Sequence, residues 1–433
     1  MPADVENKRF NRNIGLSFGS SVIGVAVAIA QGALIARTLG PAGKGIVAVV
    51  VLAPPLIRLL LDGGLAASNV YFIGTARFDT STLAGHALSF TALAVFATAI
   101  IVLVAGATGV YRAVLPDAPA PLLILGMLAV PLGVLMAHLQ GLLQGLERFA
   151  VLNACVIVSA LSQLAVTAVL LVGFDRGAGG VVVASLLATA TTVVVSIEVL
   201  RRSTVSFRPR FERDVVRPLV GYGMRGHVGE LLQYFNYRLD VLIVNLYLGP
   251  FAVGIYSVST RLAELLWYLP DAVSLVLFPR AAKGTATESR ALTARATAQT
   301  LAISAVAALA LAAFGDQVIR SVFSDEFASA YRPMLLLLPG AVLLGGGKVI
   351  SHELAGRGQP HINSAVAAVS LVTTVVLDVI LIPRMGISGA AIASTASYTL
   401  TFVLLVIASV TLGRRSAHVA DGLKLEPEIA PSP

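Results

Sequence analysis

The chain has 433 residues, 57% of them hydrophobic and only 12% charged, with a formal net charge of +8 and a mean hydropathy of +0.86. A soluble domain is closer to half apolar and a quarter charged, so this balance excludes an ordinary soluble globule and points to a polytopic membrane protein. The single cysteine, Cys155, excludes a disulfide framework and reads as a small packing residue within an apolar run.

In chain order, apolar runs of membrane length fall at 14–35, 46–73, 83–105, 121–142, 151–172 and 181–200, then at 219–248, 253–278, 301–314 with its flanks, 333–354, 362–382 and 387–412. Each can cross a hydrocarbon core of about 30 Å at about 1.5 Å rise per residue. The expectation is an all-α polytopic protein of about 12 transmembrane helices. Lys8, Arg9 and Arg12 precede a first run that is too long for a cleavable signal and lacks a small-residue cleavage site, so it reads as a spanning helix. Residues 417–433 are polar and contain proline, and read as a disordered tail.

The basic excess follows topology. Arg77, Arg148, Arg201, Arg202, Arg208, Arg210, Arg213 and Arg217 fall in loops on the side of the termini, whereas the opposite loops hold few cations, among them Arg37, Lys44, Arg112 and Arg320. This positive-inside pattern places both termini in the cytoplasm and needs no nucleic-acid partner.

The seventh and eighth runs are joined by "NLYLGPFAVGIYSVS", a near-copy of "IARTLGPAGKGIVAVV" between the first and second. The matched positions Gly40, Pro41 and Gly45 against Gly249, Pro250 and Gly254 are offset by 209 residues. At the same offset "GAGGVVVAS" from Gly177 aligns with "GISGAAIAS" from Gly386, and Asp62 falls on Asp271. The chain therefore reads as two copies of a six-helix unit: 1–200, a basic cytoplasmic linker 201–218, and 219–416, followed by the tail 417–433. Six is even, so both copies cross in the same sense, as two parallel bundles.

Polar residues inside the runs fall mainly on the first, second, seventh and eighth segments. Ser17, Ser21, Gly24 and Gln31 share one face of the first; Arg58, Asp62 and Asn69 share one of the second. Arg225, Gly229, Gln233, Asn236 and Asp240 line the seventh, and Arg261, Glu264, Tyr268 and Asp271 the eighth. A centred Arg, Lys or Asp costs about 2.5–3.5 kcal/mol, so these stripes imply a polar central cavity, with Lys348 at one end of it. Against this stand local pairs, Arg58–Asp62 and Arg261–Glu264, serving packing alone. Arg225 lies near the cytoplasmic end, where it either snorkels or binds ligand. Pro54–Pro55 and Pro270 kink their helices, as hinges or as shape. Arginine's planar fork suits a diphosphate, which makes an anionic headgroup a candidate substrate.

With "ARTLGPAGKGIVAVV", "LLLDGGLAAS", "NYRLDVLIVNLYLGPFAVGIYSVSTRL", "LFPRAA" and "GRGQPHINSAVAAVSLVTTVVLDVILIPRMGISGAAIAST", the chain resembles, along its whole length, the polysaccharide-biosynthesis flippases of the multidrug/oligosaccharidyl-lipid/polysaccharide exporter superfamily. The resemblance implies a MATE-like pair of six-helix bundles around a central cavity, in a bacterial inner membrane. It implies translocation of an undecaprenyl-pyrophosphate-linked oligosaccharide to the outer leaflet for O-antigen or exopolysaccharide assembly, with polymerase and glycosyltransferase machinery as partners beside membrane lipids. Arg58 and Arg261, with Arg225 and Lys348, then face the pyrophosphate; Gln31, Gln233, Asn236 and Tyr268 touch sugars; Glu230, Asp240 and Glu264 are candidates for ion coupling.

A cation-coupled drug antiporter of the same superfamily is the nearer rival, although the first segment lacks an acid between Asn13 and Ile35 and aromatics are few. A polysaccharide polymerase or ligase is the other, and would want a large outer loop with acids or histidines. The longest predicted outer loop, 315–332, offers only Asp316, Asp325 and Glu326, and the six histidines show no metal-ligand spacing. No Walker sequence occurs, and no enzyme activity, cofactor or metal is expected.

Overall fold

The computed structural model describes residues 3–114, 118–268, 270–271 and 286–423, and no strand occurs among them. Its longer helices are α1 (Ala3–Asp62), α2 (Leu65–Gly74), α3 (Thr80–Thr108), α4 (Val110–Val114), α5 (Ala120–Met127), α6 (Ala129–Gly145), α7 (Phe149–Ala168), α8 (Gly177–Arg202) and α9 (Arg213–Glu264). Then come α10 (Ala286–Val318), α11 (Tyr331–Gly356), α12 (Pro360–Met385) and α13 (Ile387–Leu423). Among the described residues ten helical stretches are long and apolar enough to span a membrane. Two of them, Gly19–Asp62 and Arg213–Trp267, each hold two predicted segments, the eighth of which, 253–278, runs on beyond the described residues.

The duplicated turn explains the doubling. α1 and α9 are interrupted by one non-helical residue each, Gly40 at φ 64°, ψ −175° and Gly249 at φ 75°, ψ −178°. That backbone region is nearly closed to any residue with a Cβ. Pro41 and Pro250 follow at once, where a helix start needs no N–H from them. The later match has the same sign of φ: Gly177 at 55° and Gly386 at 62°.

Several sequence expectations are corrected. The run 46–73 is not one helix: it stops at Asp62, passes through Gly63 and Gly64 at φ 58° and 72°, and resumes as α2. The run 121–142 is one stretch, Ala120–Gly145, in which Leu128 between α5 and α6 keeps helical φ and ψ. The outer loop 315–332 is helical for most of its length, because α10 continues into a π turn at Ile319–Phe323 and a 3-10 segment at Asp325–Ala330. Its polar residues bond one another, with Arg320 donating to Asp316 at 2.8 Å and Asp325 at 3.1 Å, so they do not end the helix. The tail is helical as far as Leu423. The remainder of the tail and the "LFPRAA" motif lie outside the described residues.

By contacts the chain divides into two units, Met1–Val258 with Asp316–Tyr331, and Ser259–Gly315 with Arg332–Pro433. This boundary falls inside α9, whereas the repeat divides the chain by sequence offset.

In the first unit, Leu65, Leu83, Leu139, Leu142, Leu200 and Leu219 form a buried cluster where α2, α3, α6, α8 and α9 meet. α3 turns Phe96 (68% exposed) and Leu103 (70% exposed) outward, a surface suited to acyl chains and wrong for water. The two duplicated turns pack on each other reciprocally. A Cβ on Gly45 would overlap the Pro250 carbonyl, and one on Gly254 would overlap the Pro41 carbonyl. The predicted linker is laced along the start of α3. Ser81 accepts from the Ser206 N–H at 3.0 Å, Gly85 accepts from the Arg210 N–H at 3.3 Å, and the Ser89 hydroxyl donates to the Arg210 carbonyl at 2.7 Å.

The second unit is held by small residues and hydroxyls between helices. Ser370 and Thr401 share a hydrogen bond of 2.6 Å, the Ser397 hydroxyl donates to the Ser370 carbonyl at 2.9 Å, and Thr395 donates to the Leu336 carbonyl at 2.5 Å. In lipid no hydrophobic force draws helices together, so close packing and such bonds, about 0.6 kcal/mol each, carry the association.

Candidate functional site

Arg58 lies on the second half of α1, one turn beyond Pro54 and Pro55. A helical side chain leans toward its own N-terminus, and Arg58 lies across Gly133 of α6, where a Cβ would stand 2.7 Å from Arg58 Cδ. Beyond that glycine is a cleft of about 140 Å³ between α1, α5, α6 and α8, lined by Arg58, Pro54, Pro55, Gly126, Ser185 and Thr189 among others. None of its lining residues is acidic, and Arg58 makes no ion pair among the described residues.

The local pair Arg58–Asp62 is not formed. Asp62 instead lies 3.7 Å from His138 Nε2 on α6, both side chains being buried. One turn earlier, the helix end at Gly63 strips the Leu59 carbonyl of its usual donor, and His227 Nε2–H of α9 supplies one at 2.6 Å. The hydroxyl of Ser68 likewise donates to the Leu219 carbonyl at 2.7 Å. Gln31 on α1 is half-buried.

On α9 the stripe grades from exposed to buried. Arg225 and Glu230 are exposed, Gln233 is half-buried, and Asn236 and Asp240 are buried. Both oxygens of Asp240 are occupied: one accepts from the Val241 N–H at 2.8 Å, the other from the Tyr256 hydroxyl at 2.7 Å.

In the second unit Arg261, Lys348 and Arg357 have acidic partners. Arg261 lies 3.8 Å from Glu264, the local pair that the sequence allows. Lys348 donates to Asp271 at 2.9 Å and stands 5.0 Å from the Trp267 ring centroid. Tyr268 is 37% exposed. Arg357 pairs at 3.0 Å with Glu353, which is fully buried. No group of acids, histidines and cysteines able to hold a metal occurs among the described residues.

The sequence reading missed His227, Tyr256 and Ser185. His227 is legible only once Gly63 is known to end a helix. Tyr256 follows Asp240 by sixteen residues across the Gly249 turn, beyond any helical spacing. Ser185 carries no sequence signal of its own.

Membrane-length helices, twinned glycine breaks and an intramembrane arginine define a multi-pass membrane protein of MATE-like fold. The chain is similar to an inward-facing multidrug resistance MATE family transporter (TM-score 0.72, 14% identity, 93% of this chain and 96% of that one) and to the lipid II flippase MurJ (TM-score 0.75, 12% identity, 90% and 87%). The model of the polysaccharide biosynthesis protein family matches residues 34–332, more than half of the chain, and the chain belongs to that family.

Two curated relatives come from Haloferax volcanii. One, "Probable low-salt glycan biosynthesis flippase Agl15", is 26% identical over 206 residues, 47% of this chain and 43% of the relative. The other, "Probable flippase AglR", is 25% identical over 202 residues, 45% and 42%. The matched segment thus spans less than half the length of either relative.

Proposed function

We propose that this protein is a flippase that carries an undecaprenyl-pyrophosphate-linked oligosaccharide from the cytoplasmic to the outer leaflet of a bacterial inner membrane by alternating access, for polysaccharide assembly. The observation that carries the reading is Arg58: a cation inside a membrane-length helix, facing a cleft without acids and making no ion pair among the described residues. At about 2.5–3.5 kcal/mol for a centred charge, such a residue calls for an anionic partner, and a pyrophosphate matches the guanidinium fork. Family membership and the names of the two relatives support the glycan-lipid class.

Arg261 and Lys348 already hold Glu264 and Asp271, so each serves an incoming headgroup only by exchanging that acid for it. Gln31, Gln233, Asn236 and Tyr268 give loose sugar contacts. Of the acids considered for ion coupling, Glu230 is exposed, whereas both oxygens of Asp240 are engaged.

The test is leaflet-to-leaflet movement of an undecaprenyl-pyrophosphate-linked oligosaccharide in liposomes holding the purified protein. Arg58→Ala should slow it at least about tenfold, the equivalent of one charge-assisted contact, with membrane insertion intact. Transport at the normal rate by a correctly inserted Arg58→Ala protein would remove the headgroup assignment.

A further inference from the structure

Across α1 from the Arg58 cleft lies a larger cavity, of about 480 Å³, bounded by α1, α3, α4, α5 and α9. α1 gives the cleft Val50, Pro54 and Arg58, and gives this cavity Ala53, Leu56 and Ile57. At about 100° per residue the two sets stand on opposite sides of the helix. The volume falls in the range of ligand pockets, about 300–1,000 Å³. Leu56 and Leu123 in its lining are buried, whereas Val110 and Ile124 are exposed, so the cavity opens at the protein surface. Tyr111 is the one lining residue with a polar side chain among the described residues. Gly106 leaves part of the space free, since a Cβ there would meet nothing within 4 Å.

Water does not suit such a space, because a buried water needs two to four polar partners. Left empty, the walls lose dispersion contacts. A hydrocarbon chain restores them. Yet a chain gains little by leaving the bilayer for an apolar wall, since lipid tails are as apolar as leucine. Whatever fixes one lipid here must act on its headgroup.

A cation stands where that headgroup falls. α3 has 29 residues, about 44 Å at 1.5 Å rise, which is the thickness of a bilayer with its headgroups. α4 follows directly after Gly109, and so lies at headgroup level. There Arg112 donates to the Tyr111 hydroxyl at 3.0 Å and stands 5.6 Å from the centroid of that ring. Arg112 is exposed and makes no ion pair among the described residues; Asp117, the next acid along the chain, lies outside them.

We infer that this cavity is a binding site for one anionic phospholipid, whose acyl chain fills the space between α3 and α5 and whose phosphate pairs with Arg112 beside Tyr111. A zwitterionic headgroup brings its own cation to the phosphate and gains less from Arg112. The site is separate from the proposed transport site: a carried lipid with its phosphate on Arg58 has α1 between that phosphate and this cavity.

The experiment is native mass spectrometry of the purified full chain in neutral detergent, titrated with phosphatidylglycerol or with phosphatidylcholine of the same chains. Phosphatidylglycerol should bind about fivefold more tightly, the worth of one arginine at a membrane surface. Arg112→Gln should abolish that preference and leave phosphatidylcholine unchanged. Gly106→Phe fills the cavity and should abolish retention of either lipid. Its lipid-free thermal midpoint should not fall, since the space is open and phenylalanine is a better helix former than glycine. Equal affinity for the two lipids, or a preference that survives in Arg112→Gln, overturns the site. So does undiminished lipid binding by a folded Gly106→Phe protein, and Arg112→Gln remains a test if that variant does not fold. A third titration, with undecaprenyl phosphate, should show binding no tighter than phosphatidylglycerol. Tighter binding that Gly106→Phe abolishes would give the cavity to a prenyl chain and overturn the phospholipid assignment. None of these readouts measures transfer between leaflets, so failure of the flippase reading would leave the site standing.

Discussion

The two duplicated turns and the two matched aspartates stand at one sequence offset and have had different fates. Gly40 and Gly249 have nearly the same φ and ψ, and the helices they start approach so closely that Gly45 and Gly254 each receive the other's proline carbonyl. Asp62 and Asp271, by contrast, share nothing but their position in the repeat. Asp62 is buried beside His138, and Asp271 is about half exposed and bonded to Lys348. Backbone geometry has been kept where each copy shapes the other. Side-chain chemistry has diverged where each aspartate answers to its own neighbours.

Substitutions can break this comparison in order of size. Gly45→Ala and Gly254→Ala should be the most damaging, each costing about 3 kcal/mol, since backbone must yield and no flexible side chain can. The check is the thermal unfolding midpoint of the purified protein in detergent. A loss in only one of the two variants would mean that the contact is not reciprocal. Gly40→Ala and Gly249→Ala should cost about 2 kcal/mol each and equally, because the strain is that of one backbone conformation used twice. Unequal losses would show that the turns differ in what they bear.

The aspartates should part company in the same measurement. Asp62→Asn should cost about 1 kcal/mol through its buried contact with His138. Asp271→Asn should cost about 0.5 kcal/mol or less, its pair with Lys348 being partly solvated. Equal effects would mean that the repeat still governs both sites.

Much of the fold was legible in the sequence because apolar length and a fixed offset are properties of the chain itself. The spans, the duplicated turn and its glycines could be found without coordinates. The break at Gly63–Gly64 was not read, since it lies within an apolar run. The helical course of residues 315–332 was hidden because Asp316, Arg320 and Asp325 look like a loop until they are seen to bond one another.

The candidate site was legible as residue types and less so as partners. Arg58 stood out as a charge in an apolar segment, but its apparent partner four residues on turns to a histidine 76 positions away. Periodicity along one helix carries no information about which helix lies across from it.

The segment laced along α3 carries a consequence for the chain's tolerance of change in length. Its bonds from Ser206 to Ser81 and from Arg210 to Gly85 and Ser89 fix its register against that helix as a strand is fixed in a sheet. A residue inserted between Ser206 and Arg210 would put one set of these bonds out of step, whereas surface connections ordinarily absorb insertions. The connection therefore works as a ruler, and its length is set by the helix on which it is laid.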